Sequence, residues 1–276
     1  MNPSPRSYLF VPGDRPERFE KAVASGAHAV ILDLEDAVTP ERKVQARQAI
    51  ADWLARAEGQ VFVRVNAEGT PWHEDDCELL VESSHLAGVM VPKAEDATSI
   101  ARLARHLGDG QQLIPLVETV AGHFEAAALA RIPRVSRLAF GSFDFMADSG
   151  IQSDGEELDA VRTNLVLVSR HAGLAAPIDG VSAAIDDAAA LEADVRRSRR
   201  FGMGAKLCIH PKQVPIVHAG FAPTAQEVAW ARRVLDALAS GPLGTVAVDG
   251  KLVDRPIALR AEAILAEAAP GAPCLR

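Results

Sequence analysis

The stretch SYLFVPGDRPERFEKAVASGAHAVILDLED, residues 7–36, decides between the folds open to this chain. It opens with one apolar run, SYLFVPG (7–13), and closes with another, AVILDLED (29–36). Runs that are apolar throughout, rather than alternating, belong to strands buried on both faces, which means a parallel sheet covered by helices. The turn after the first run, VPGDRPERF, has one Gly and two Pro. It is not the GxGxxG turn expected after the first strand of a doubly wound open sheet.

Six further runs follow: VFVRVN (61–66), GVMVPK (88–93), LIPLVET (113–119), RLAFGSFD (137–144), PIDGVSA (177–183) and AKLCIHP (205–211). Between them lie segments such as 41–56, 96–107, 157–172 and 186–200, rich in Ala, Leu, Arg and Glu, which lose little side-chain freedom in a helix. Eight strand–helix repeats predict an α/β fold of the closed (β/α)8 class, the TIM barrel; open sheets usually stop at about six strands. The barrel is expected over residues 1–221. Residues 222–276 form an extension of helix, hairpin and helix. Thr224 with Glu227 has the spacing of a capping box, Asp249-Gly250 makes the hairpin turn, and Pro256 starts the last helix. Such an extension should have little core of its own and pack on the barrel or on a neighbouring subunit.

Composition excludes several function classes. The 276 residues are 48% hydrophobic and 24% charged, an ordinary globular profile. Thirty-seven acids against 29 bases give −8, a field that repels nucleic acid and anionic membranes. Arg196, Arg197, Arg199 and Arg200 read as the solvated face of a helix. No apolar run approaches the ~20 residues of a membrane span, and the N-terminus lacks a signal-peptide pattern. Cys77, Cys208 and Cys274 are far apart and without CxxC spacing, which suggests neither disulfides nor zinc and makes a reducing cytoplasm the default.

Polar side chains gather at the carboxyl ends of the strand candidates, where a barrel carries its active site. They are Asp14 and Arg15; Asp33, Glu35 and Asp36; Arg64 and Asn66; Lys93; Glu118 and Thr119; Ser142 and Asp144; Asp179; and His210. Strand-terminal acids often cap the next helix, and Glu118 could simply pair with Lys93 or Arg64. A whole ring of them costs desolvation, however, and carboxylates sharing a pocket call for a cation. Carboxylate oxygen with water suits Mg2+. Arg64, Lys93 and Arg15 add cationic donors, and an Arg fork fits a carboxylate. The residues thus point to Mg2+-assisted chemistry on an oxo acid or hydroxy acid.

Taken together, RSYLFVPGDRPERFEKAVASGAHAVILDLEDAV, VFVRVN, VMVPK, PLVET, FGSFDFMADSG, PIDGVS and AKLCIHPKQV resemble the citrate lyase β-subunit-like family, which includes malyl-CoA, citramalyl-CoA and citryl-CoA lyases. The resemblance runs in order from about Arg6 to Leu265. It implies a (β/α)8 barrel that cleaves a 3-hydroxyacyl-CoA into acetyl-CoA and a 2-oxo acid. It implies Glu118 and Asp144 as Mg2+ ligands, and Arg64 as the donor to the oxo-acid oxygens. Glu35 and Asp36 would act through metal-bound waters, and Arg15 and Lys93 would border the substrate and the CoA entry. Asp254 would be the acid/base, often supplied by a neighbouring subunit, although a cap for the last helix is the other reading of that residue. A homotrimer or hexamer follows from the same resemblance. The sequence departs from the family at Phe143, Ser149 and Ala205, which bears on the shape of the oxo-acid pocket. Related possibilities are a citrate lyase subunit acting on a carrier-bound citryl thioester, a thioester hydrolase and a malate-synthase-like condensing enzyme.

Overall fold

The computed structural model describes residues 5–57, 59–80, 83, 85–240 and 246–268. Cys274 lies outside them. Eight parallel strands close into a barrel in chain order: β1 Ser7–Pro12, β2 Ala29–Asp33, β3 Val61–Arg64, β4 Leu86–Val91, β5 Gln112–Val117, β6 Ala139–Phe140, β7 Ile178–Asp179 and β8 Ala205–Cys208. Closure is made by β1 against β8, with Ser7 opposite Lys206 and Leu9 opposite Cys208. Alternation sends Tyr8, Ile31, Phe62, Met90, Ile114, Leu116, Ile178 and Leu207 into one packed interior, and Phe10 and Val181 pack against it. Between β4 and β5 the backbones approach so closely that a Cβ on Gly88 would lie 2.1 Å from the Gln112 carbonyl oxygen, so only glycine fits.

Helices follow the strands: α1 Phe19–Val23, α2 Lys43–Leu54, α3 His73–Leu80, α4 Ala97–His106, α5 Val120–Leu129, α6 Ser142–Ser149, α7 Asp159–His171, α8 Ala188–Phe201 and α9 Gln213–Phe221. Their ends are set by local chemistry. Asp96, Thr119 and Asp187 cap α4, α5 and α8 by accepting N–H bonds from Thr98, Gly122 and Ala190. Gly150 and Gly202 end α6 and α8 in the left-handed region.

Two strands differ from the sequence expectation. β6 and β7 have two residues each, because Gly141 breaks the first run and SFD starts α6, while the chain leaves the sheet at Gly180. Asp144 therefore sits in the first turn of a helix, not on a strand. Asp179 also departs from the expected ring. Its neighbour Ile178 faces the interior, so Asp179 faces the helix layer. There Arg162 Nε donates to it at 2.9 Å, Ser198 donates its hydroxyl, and Lys206 Nζ stands 3.6 Å away. All four residues are buried.

A separate compact unit contains the described residues from Ala219 on. It comprises α10 Ala225–Ser240, the antiparallel pair β9 Val246–Val248 and β10 Lys251–Val253, and α11 Arg255–Ala268. Thr224 and Glu227 form the capping box: the Thr224 N–H donates to the Glu227 carboxylate at 2.8 Å, and the Glu227 N–H to the Thr224 hydroxyl at 3.1 Å. Asp249 and Gly250 both take positive φ, as a two-residue hairpin turn of type I′ requires. This unit does have a small core of its own. Ala231, Val234, Val253, Ala261 and Ile264 are buried together, with Trp230 and Ile257 against them, because the hairpin closes over the α10–α11 seam.

Candidate active site at the carboxyl ends of the strands

Six of the site residues expected from sequence form one charged cluster on the β2–β6 side of the barrel mouth. Arg64, the last residue of β3, reaches Glu35 Oε2 at 2.9 Å and Asp36 at 3.9 Å through Nη1. Its guanidinium lies over the Phe10 ring at 4.7 Å, a cation–π contact. Lys93 Nζ donates to Glu35 Oε1 at 2.7 Å and stands 3.7 Å from Glu118 Oε1. The Lys93 N–H also donates to Glu118 Oε1, at 2.8 Å. Lys93 makes this donation at φ +45°, a left-handed conformation costing a side-chain-bearing residue about 1–3 kcal/mol.

The electrostatics show an excess of acid. Burial raises the Glu118 pKa to about 8, together with the charges of Glu35 and Asp144, against partial relief from Lys93 and Arg64. Burial also raises Glu35, even with Arg64 and Lys93 beside it. For Lys93 burial works the other way, but the Glu35 hydrogen bond and the surrounding acids outweigh it and keep the ammonium firmly charged. Glu35 Oε2 is buried and accepts no hydrogen bond from a described residue, since its contact with Arg64 is close but poorly aligned.

Glu118 is only 1% exposed and directly follows β5, while Asp144 is half-buried at the start of α6. The glycine between β6 and α6 makes room for the pair: a Cβ on Gly141 would lie 2.5 Å from Glu118 Cβ and 2.7 Å from its Oε2. This donor set fits a hard divalent cation that keeps much of its water. The carboxylates of Glu118 and Asp144 could supply oxygen ligands, and Glu35 Oε2, ion-paired with Arg64 but without an aligned hydrogen bond, could accept from a bound water. Among the described residues no three or more His, Cys, Asp or Glu side chains are arranged to hold a metal, so a closed zinc-type cage is absent there.

The other expected residues lie elsewhere. Arg15 is exposed at the rim after β1, with its Nε 4.0 Å from Asp14 Oδ1. Asp14 itself pairs with Arg42 at 2.6 Å. Asn66 is tied to Asp76 at 2.6 Å, and Asp179 serves the barrel wall. Asp254 belongs to the C-terminal unit, where its carboxylate accepts the Ile257 N–H at 3.1 Å and caps α11. Asp33 is the residue whose part in the site the sequence reading left undefined. It is the register partner of Arg64, and an acid facing an Arg at the ends of neighbouring strands is the signal that could have found the pair.

Comparison with known proteins places the chain in a family. Residues 6–211 match the HpcH/HpaI aldolase/citrate lyase family. The chain is 37% identical to a citrate lyase subunit beta-like protein of Deinococcus radiodurans, over 98% of this chain and 100% of that protein. It is 34% identical to a (3S)-malyl-CoA thioesterase of Cereibacter sphaeroides, covering 95% of this chain and 94% of the relative. Among solved structures, the protein CitE from Mycobacterium tuberculosis in complex with magnesium, acetoacetate and coenzyme A superposes with a TM-score of 0.84 at 35% identity, covering 96% of this chain and 98% of that one. The chain therefore belongs to the HpcH/HpaI aldolase/citrate lyase family and is an enzyme of the carbon–carbon lyase class.

Proposed function

We propose that this chain is a Mg2+-dependent acyl-CoA lyase that cleaves a 3-hydroxyacyl-CoA of the citramalyl, citryl or malyl type into acetyl-CoA and a 2-oxo acid. The observation that carries the reading is the carboxylate pair Glu118 and Asp144, with charge left over after Arg64 and Lys93 have been matched to other acids. The magnesium, acetoacetate and coenzyme A bound by the CitE relative support it.

Glu118 and Asp144 would hold the Mg2+, which supplies Lewis-acid stabilisation of negative charge on a substrate oxygen. Arg64 Nη1 donates to the oxygen on which charge gathers, in a site where Phe10 keeps water from one face. Glu35 orients Lys93 and accepts from a water at its Oε2; Asp36 adds a half-solvated acceptor beside it. Lys93 and the rim residue Arg15 face the acyl-CoA. Asp254, supplied by a neighbouring subunit, would take the hydroxyl proton. The electron pair of that O–H bond forms the carbonyl of the oxo acid, and the C–C bond breaks onto the thioester α-carbon, which a proton then converts to acetyl-CoA. In a homotrimer or hexamer, the C-terminal unit of another subunit would supply the lid that keeps water from the reacting enolate. We place the enzyme in the cytoplasm on its widely spaced cysteines; no described helix is long and apolar enough to cross a membrane.

The test is incubation with Mg2+ and racemic citramalyl-CoA, malyl-CoA or citryl-CoA, following oxo acid and acetyl-CoA, with an EDTA control. EDTA-sensitive release of both products from one ester is expected. Release of free CoA and the hydroxy acid would instead favour thioester hydrolysis, the activity named for the Cereibacter relative. Inactivity on all three with turnover of a carrier-bound citryl thioester would make the chain a citrate lyase subunit.

A further inference from the structure

The Nε edge of the Arg64 guanidinium is already engaged within the chain. Nε donates to Asp33 Oδ1 at 2.7 Å and Nη2 to Asp33 Oδ2 at 2.6 Å, a side-on bidentate pair. Asp33 and Arg64 are register partners on β2 and β3, and both point into the barrel above Ile31 and Phe62. Asp33 is itself held: Oδ1 also accepts the Glu35 N–H at 2.9 Å, and Oδ2 the Ala37 N–H at 3.2 Å. It is 1% exposed, so it is closed to solvent and substrate alike.

A guanidinium held this way cannot use that edge to grip a substrate carboxylate, as the sequence suggested. It presents its Nη1 end, the nitrogen next to Glu35 and Asp36. We propose that Asp33 is a positioning residue, which closes the Nε edge of Arg64 and fixes its Nη1 end toward the substrate oxygen. One carboxylate thereby also sets the turn that carries Glu35, because the Glu35 and Ala37 N–H groups bind the same two oxygens. The consequence for turnover rests on the lyase reading above, whereas the orientation of Arg64 does not.

The test therefore has two readouts. In 15N-labelled protein, the Arg64 Nε–H signal should be protected from water exchange, and Asp33→Asn should abolish that protection while the circular dichroism stays native. With the ester that the wild type cleaves, Asp33→Asn should lower kcat about 100-fold with KM within about threefold, the pattern of a misplaced transition-state donor. In an Arg64→Lys background the same substitution should cost no more than about threefold further, because residues acting through one another are not additive. A wild-type Arg64 Nε–H that exchanges as fast as those of exposed arginines would overturn the proposal even if the variants did not fold. So would losses that multiply in the double variant. If the wild type cleaves no ester, the lyase reading fails, and the Arg64 signal still decides the part of Asp33.

Discussion

Lys93 binds Glu118 twice: its N–H donates to Oε1 at 2.8 Å, and its Nζ stands 3.7 Å from the same oxygen. The second contact is looser because the ammonium is committed to Glu35 at 2.7 Å. The backbone thus fixes where the Glu118 carboxylate sits, and the side chain sets how much of its charge is neutralised.

Lys93→Met separates these roles. The N–H donation persists, so the fold and the position of Glu118 should be kept. A cation is removed beside the acids, so Mg2+ should bind at least as tightly, as read by calorimetry. KM for the acyl-CoA should rise about tenfold, in line with loss of one charge-assisted contact. Weaker Mg2+ binding would contradict this division.

Gly141→Ala probes the space behind Glu118. The new Cβ would lie 2.5 Å from Glu118 Cβ, which is fixed to the backbone and cannot swing away as the Oε2 at 2.7 Å could. Overpacking should lower stability by about 1–3 kcal/mol in denaturant melts. Displacement of the carboxylate should reduce Mg2+-dependent turnover by about 100-fold or more.

Acid should weaken the barrel at its other end. His28 and His218 stack at 3.9 Å, with Arg6 nearby, and Ser7 Oγ lies 2.8 Å from His218 Nε2. Burial, then His28 and Arg6, pushes the His218 pKa down to about 4, and burial lowers His28 as well. The unfolded chain therefore binds more protons below the ordinary histidine pKa of 6.5, and stability falls as pH drops from there toward 4. Thermal melts from pH 7.5 to pH 4.5 should show this fall, and His218→Gln should flatten it.

The wall network around Asp179 gives a stability test independent of chemistry. Asp179→Ala leaves Arg162 and Lys206 buried with fewer partners, as Lys206 keeps Asp194 at 2.9 Å and Arg162 keeps Asp154 at 2.6 Å. The expected loss is about 3–5 kcal/mol by denaturant melt. A loss below 1 kcal/mol would mean the wall does not depend on this carboxylate.

Much of this was legible in the sequence. β1–β5 and β8 are continuous apolar runs, and their count and spacing lead directly to a barrel. The cluster of Glu35, Asp36, Arg64, Lys93, Glu118 and Asp144 was legible because its members stand at or just after strand ends. Strands apolar on both faces, however, carry no alternation to tell inside from outside. Asp179 therefore read as a mouth residue although it faces the helices. The engagement of Arg64 with Asp33 depends on strand register, which β2 and β3 do not encode separately. The core of the C-terminal unit was missed because VAV and LV are too short to signal burial until the hairpin folds over α10 and α11.

The proposed metal site is Glu118 with Asp144, which together would hold the Mg2+ that cleavage of an acyl-CoA requires. Its most direct test compares oxo-acid release by wild type, Glu118→Gln and Asp144→Asn across a Mg2+ titration, on whichever ester the wild type cleaves. Both variants should fold, and both should lose Mg2+-dependent release at every concentration tested. Release that survives in either variant at ordinary Mg2+ would contradict the claim.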